Sequence, residues 1–515
     1  MRKIIGSICA AAMLAPTPTG FAQTTRAQGE RLVTSDYGDL CRRPAALPDL
    51  GREPDIREQQ NVRRDRMDRE GAPASPPVAM AVASPPPPPP PSPSPPPTPP
   101  HAIAAEGTSS ESVGAYASGE RSAKTSSPET RSMPGYPRPM PRPEPRPEPG
   151  PQSGLLTAGE HDDLLNPELY ADYVRNSGLG QSARDLPLLD TERLLTIVAK
   201  DRRGQAMPFV PIEVRCANGR SIILDTVADG SSVFFPKLDR LGSKVQVRAG
   251  NSNWRSVDLA SVNGTQTISF TLGGGAERVR KLDLALVVDV TGSMSDELRF
   301  LQAELTSIVD ALNRRHRNLD IRVGFTFYRD QGDQFVTRTY PLSSDIAAAK
   351  GHIAQQSANG GGDYPEAMQD ALIRAAGQPW RDDAVKSLLL VADAPPHDQD
   401  IGMTWRAAEH LRAERVHIVP VGASGVADMA EYLMRAMAAS TQSRYTFLTD
   451  DSGIGNPHAK PAVDCYLVTR LDALLRRVID SQISGRRIEP DRNEIIRSVG
   501  QQDAGRCILP TDFGQ

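Results

Sequence analysis

Residues 282–296 read LDLALVVDVTGSMSD. The apolar run from Leu284 to Val288 is continuous rather than alternating, which predicts a strand buried on both faces, as in a parallel sheet. Its end at Asp289 places a carboxylate at the strand's carboxyl end, and Thr291 and Ser293 follow at alternate positions of the next loop.

The pattern continues outward from this strand. ELRFLQAELTSIVDALNRR (297–315) is amphipathic at helical spacing, and IRVGFTFYRD (321–330) reads as a strand. PEAMQDALIRAAGQ, VKSLLLVADA, TWRAAEHLRAER, VHIVPVGA, DMAEYLMRAMAAST, RYTFL and LDALLRRVIDSQI then alternate helix with strand up to residue 483. Such alternation predicts an α/β fold with a doubly wound, mostly parallel sheet over 281–485, whose ligands bind at the carboxyl ends of the strands.

Three strand-end loops carry candidate ligands. The first is Asp289, Thr291 and Ser293. The others are Gly360-Gly361-Gly362-Asp363-Tyr364-Pro365-Glu366, before a helix, and Asp393-Ala394-Pro395-Pro396-His397, after the strand SLLLV. Magnesium prefers oxygen ligands at roughly 2.0–2.1 Å, so a carboxylate with two hydroxyls supplies part of a site and the other acids supply more. D-x-T-x-S alone occurs often by chance, and its place after a buried strand is what makes it informative. His397 and His458 are candidate ligands too, but single histidines in proline-containing loops are more often packing or capping groups.

This region resembles the von Willebrand factor A family, and DVTGSM is similar to its metal-ion-dependent adhesion site. The resemblance implies a Rossmann-like fold and a Mg²⁺ or Mn²⁺ site of Asp289, Thr291, Ser293, Glu366 and Asp393. Glu366 stands where many members have threonine. The Asp363-Tyr364-Pro365-Glu366 loop instead resembles that of the integrin β A-like domain. That likeness implies flanking cations, Ca²⁺ among them, one at Asp296 and Glu297 and another at Asp330, Asp363 and Glu366. The implied function is non-enzymatic: a protein partner's acidic side chain completes the metal's coordination. A cation-independent structural role in an envelope complex and a metal-dependent hydrolase are the alternatives. No nucleophile elbow, phosphate loop or HExxH motif supports the hydrolase.

Residues 190–275 change period. LLTIVAKD, FVPIEVRC, SIILDTVAD, SVFFP, KVQVRAG and TQTISFTL are short runs rich in β-branched and aromatic residues, separated by turn formers, and predict a small β-sandwich. DRRGQAMPFVPIEV and DTVADGSSVFFP resemble immunoglobulin-like or carboxypeptidase-regulatory-like modules. Before it, LLTAGEHDDLLNPELYADYV offers apolar residues at helical spacing and predicts a short helix or pair of turns within 154–189, with His161, Asp162 and Asp163 at an exposed helix start and a metal site there as the alternative.

The remainder is not core. With 46 prolines in 515 residues and 38% hydrophobic residues, much of the chain cannot pack. SPPPPPPPSPSPPPTPP and PRPMPRPEPRPEPGP place that excess in 23–153, a long disordered Pro-rich spacer expected to be extended. Residues 1–22 have a basic start, an apolar run and small residues near Ala22, the layout of a signal peptide, so the expected location is exported: periplasmic, cell-surface or secreted. No other stretch nears the ~20 apolar residues that span a bilayer, and a net charge of -4 offers no footprint for nucleic acid. Cys41, Cys216, Cys465 and Cys507 remain after signal removal, without zinc-type spacing. Cys465 with Cys507 is the favoured disulfide, and isolated thiols are the alternative. Residues 486–515 are expected to be a C-terminal tail.

Overall fold

The computed structural model describes residues 40–53, 151–179, 186–187, 189–260, 264–509 and 511. The expected signal peptide and the proline tracts lie outside the described residues.

The chain enters at β1 (Thr157–His161) and α1 (Pro167–Asn176). Seven short strands follow: β2 (Leu195–Lys200), β3 (Pro211–Cys216), β4 (Ser221–Asp225), β5 (Ser231–Phe234), β6 (Lys244–Ala249), β7 (Arg255–Asp258) and β8 (Gln266–Thr271). They form one sheet of order β5-β2-β8 and another of order β4-β3-β6-β7. Their alternate residues, among them Ile197, Ile212, Val214, Phe234, Val245, Val247 and Phe270, share one buried core.

The larger fold runs through β9 (Lys281–Asp289), α2 (Leu298–Arg315), β10 (Asp320–Tyr328), β11 (Thr337–Ser343), α3 (Ile346–Ala354), α4 (Met368–Ala376) and β12 (Val385–Ala392). It closes with α5 (Ile401–Ala413), β13 (Val416–Gly422), α6 (Asp428–Ser440), β14 (Tyr445–Thr449), β15 (Tyr466–Arg470), α7 (Leu471–Ser484) and β16 (Arg497–Val499). The sheet order is β11-β10-β9-β12-β13-β14-β1-β15-β16. The five strands from β10 to β14 in that order are mutually parallel. Every residue of β12 and β13 is buried, as strands covered on both faces require.

Four expectations need correction. First, residues 157–161 are no helix: β1 pairs antiparallel with both β14 and β15, and all five of its residues are buried. Gly159 decides this, because a Cβ there would lie 2.5 Å from the Phe447 ring and 2.9 Å from Tyr466. The helix begins only at Pro167, a residue suited to a helix's first turn.

Second, His161 and Asp163 are not at an exposed helix start. They are buried, and Asp163 holds the buried Arg435 guanidinium at 2.6 and 3.1 Å.

Third, residues 40–53, read as spacer, pack on the fold. Cys41 is disulfide-bonded to Cys216 of β3, and the Glu53 carboxylate accepts from Thr339 N and Oγ1 on the edge strand β11. Leu47 and Leu50 pack beneath.

Fourth, residues after 485 do more than trail. β16 extends the sheet beyond β15, and the hairpin β17 (Gln502–Asp503) and β18 (Arg506–Cys507) is tied back by the Cys465–Cys507 disulfide.

Candidate metal centre

Asp289 ends β9, with Tyr328 of β10 beside it in register and Ala392 closing β12 on the other side. The three loops therefore leave one edge of the sheet together. Backbone bonds stitch them: Gly292 N donates to Gly360 O at 3.1 Å, Asn359 N to Val290 O at 3.1 Å and Glu366 N to Pro395 O at 2.9 Å. Glycine is required where these loops touch. A Cβ on Gly292 would lie 2.9 Å from Gly360 O, and Gly360 and Gly361 adopt φ of +82° and +70°. Asp333, which the sequence reading passed over, braces this turn by accepting from Gly361 N at 2.8 Å.

Asp289 Oδ1 accepts from Thr291 N at 2.9 Å and from Thr291 Oγ1 at 2.6 Å, and Thr291 Oγ1 lies 3.1 Å from Ser293 Oγ. Asp289 and Thr291 are fully buried while Ser293 is exposed, so the cluster opens to solvent at Ser293. Glu366 and Asp393 are also buried. Asp289 Oδ2, Glu366 Oε2 and Asp393 Oδ1 are all buried without a hydrogen-bond partner. Leaving such groups unpaired costs about 1–3 kcal/mol each, and three acids crowded together add repulsion. Burial, then the neighbouring Asp393 charge, pushes Asp289 well above the usual carboxylate range against the hydrogen bonds from Thr291. Burial likewise raises Asp393, and burial with the Asp289, Asp330 and Asp393 charges raises Glu366 to about 9.

A hard cation fits these orphaned oxygens and the two hydroxyls, with one qualification of arrangement. Ligands on one magnesium ion lie at most about 4.2 Å apart, twice the bond length. Among the described residues the only three His, Cys, Asp or Glu side chains with ligand atoms all within 4.8 Å are His161, Cys465 and Cys507. Two of those are locked in a disulfide, which removes them as ligands. In this arrangement no single ion could contact all three acids of the cluster directly.

The flanking acids are placed differently. Glu297, fully buried, meets His458 Nε2 through Oε1 at 2.7 Å and accepts from Ser424 N through Oε2 at 3.3 Å. Asp296 Oδ2 accepts from Asn456 N at 2.6 Å. Asp330 Oδ1 lies 2.7 Å from His397 Nε2, and Asp363 is exposed at the rim. His397 and His458 thus contact acids of the candidate flanking sites, a role unread in the sequence because the partners lie 67 and 161 residues away.

Residues 283–456 match a family model described as the von Willebrand factor A domain. Among curated proteins, the alpha-protein kinase vwkA of Dictyostelium discoideum is 30% identical over 118 residues, 22% of this chain and 19% of that protein. The chain thus spans about a fifth of that relative's length. Among solved structures, the conserved hypothetical protein BatB of Bacteroides thetaiotaomicron is 14% identical, covering 39% of this chain and 98% of that one with a TM-score of 0.27. An aerotolerance-related membrane protein from Bacteroides fragilis, also 14% identical with a TM-score of 0.27, covers 40% of this chain and 99% of that one. The central sheet and its covering helices therefore form a von Willebrand factor A-type α/β fold over the matched residues.

Proposed function

We propose that this protein is an exported binding protein that grips an acidic group of a protein partner through a divalent cation. Asp289, Thr291, Ser293, Glu366 and Asp393 are the residues that hold Mg²⁺ or Mn²⁺. The carrying observation is the trio of buried, unpartnered carboxylate oxygens from three loops at one sheet edge. When bound, the ion supplies positive charge and a coordination position open toward solvent at Ser293. The protein's own residues do the rest: Thr291 orients Asp289, and the glycine turn braced by Asp333 holds Glu366 beside them.

Export is supported by the basic-then-apolar start and by two disulfides, Cys41–Cys216 and Cys465–Cys507, which persist in oxidising compartments. Among the described residues no helix is long and apolar enough to cross a membrane. A second reading, a structural component that binds its partner without a cation, is favoured by the backbone bonds that join the three loops unaided.

Calorimetric titration of Mg²⁺ and Mn²⁺ into the full chain after signal removal, beside Asp289→Ala, separates the two. Saturable binding lost in the variant supports the metal-dependent reading. A folded protein that takes up neither ion overturns it in favour of the structural one.

A further inference from the structure

Each candidate flanking position holds an acid already engaged by a histidine. His458 Nε2 lies 2.7 Å from Glu297 Oε1 while its Nδ1 lies 2.8 Å from Asp450 Oδ1, so one imidazole bridges two carboxylates as a small cation does. The second Glu297 oxygen is taken by Ser424 N, and Gly455 closes over the carboxylate so tightly that a Cβ there would lie 2.3 Å from Oε1. Asp296 keeps one unpartnered oxygen, a single donor where calcium takes six to eight. On the other side His397 Nε2 lies 2.7 Å from Asp330 Oδ1.

We infer that His458 and His397 replace the flanking cations: they hold Glu297 and Asp330 from within the chain, so the domain takes one metal ion rather than two or three. His458 also does the mechanical work that a bridging ion does. It ties the start of α2, at Glu297, to the loop of residues 450–458. The chain thereby keeps both outer acids oriented whatever the calcium concentration around it, and its cation response reduces to the central position. This inference rests on the central-site reading for its count of one.

The test is equilibrium dialysis of the full chain against millimolar Ca²⁺ and Mn²⁺ with metal analysis, beside Asp289→Ala. It is paired with imidazole ¹H–¹⁵N spectra of histidine-labelled wild-type protein. The expected result is one ion per chain, lost in Asp289→Ala, with the His397 and His458 signals unmoved by Ca²⁺. Two or more ions, one ion that survives Asp289→Ala, or Ca²⁺-dependent movement of either signal overturns the inference. Zero ions with unmoved signals instead removes the central-site reading and leaves this one standing, since the outer acids are then cation-free as inferred.

Discussion

The Glu304 carboxylate, fully buried midway along α2, accepts the backbone N–H of Gly154 through both oxygens at 2.9 Å. Leu155 N and Leu156 N donate to the same group at 3.1 and 3.2 Å. One helical side chain thus receives the chain just before β1 and aims β1 into the sheet. Glu304→Ala leaves three donors unmet, of which the buried Leu156 N–H costs about 1–3 kcal/mol and the half-buried Gly154 and Leu155 less. Urea unfolding should show a loss of that order, with cleavage near residues 151–156 under limited proteolysis. Glu304→Gln, which keeps an acceptor oxygen, should lose less. Equal stability of wild type and Glu304→Ala would remove Glu304 as the anchor of β1.

Glu160 predicts acid sensitivity. Burial alone raises its carboxyl, but Arg444 at 2.6 Å and Arg477 at 2.7 Å, with Arg487, outweigh burial and hold it at about 2. A depressed folded value means the pairing's stability is fully present above the ordinary value of 4.5 and is lost as pH falls toward 2. A shift of this size bounds the effect at about 3 kcal/mol. The urea midpoint of wild type should fall through that window, and Glu160→Gln, although less stable at neutral pH, should show a shallower slope. Identical slopes would show that other groups control the acid limb.

How much of this was legible in the sequence depended on whether a signal was local. The run before Asp289 and the helix–strand alternation after it report on neighbours a few residues away, and the parallel core follows from them. β1 was not legible because its five residues TAGEH carry no alternation of their own. They are a strand because two distant strands, β14 and β15, leave a gap that only a glycine at 159 fits between Phe447 and Tyr466. The strap at 40–53 failed for a similar reason. Its anchor, Cys41, is fixed by a partner 175 residues away, in a composition otherwise indistinguishable from spacer. At the candidate metal site the acids were readable from strand ends, whereas Asp333 and the histidine contacts emerge only once separate loops meet.

The crowded acids make cation binding proton-linked. Asp289 and Asp393 are raised by burial, and Glu366 stands at about 9 for the same reason and from its neighbours' charges. Raised carboxyls contribute stability that is present below their ordinary values and is lost as pH rises through the folded ones, so the metal-free protein should weaken toward alkaline pH. A cation needs the carboxylates ionised and displaces those protons. Mn²⁺ affinity should therefore climb between about pH 6 and 9, and calorimetric heats should differ between buffers of unlike ionisation enthalpy. Flat affinity with buffer-independent heats would mean that the acids are already ionised.

Gly361 offers a way to perturb the site without removing a ligand. A Cβ at this position would lie 2.8 Å from Glu366 Oε1 and 3.4 Å from the Thr291 Cβ, and its φ of +70° disfavours any side chain. Gly361→Ala should push Glu366 away from Thr291 at a backbone cost of roughly 1–2 kcal/mol. The expected outcome is an unchanged far-ultraviolet circular dichroism spectrum with Mg²⁺ or Mn²⁺ affinity at least about tenfold weaker, the equivalent of 1.4 kcal/mol. Gly362 is the internal control: it has nothing within 4 Å of an added Cβ and no positive φ, so Gly362→Ala should bind as wild type does. Equal binding by the two variants would show that displacing Glu366 leaves the ion undisturbed, and would remove it from the ligand set.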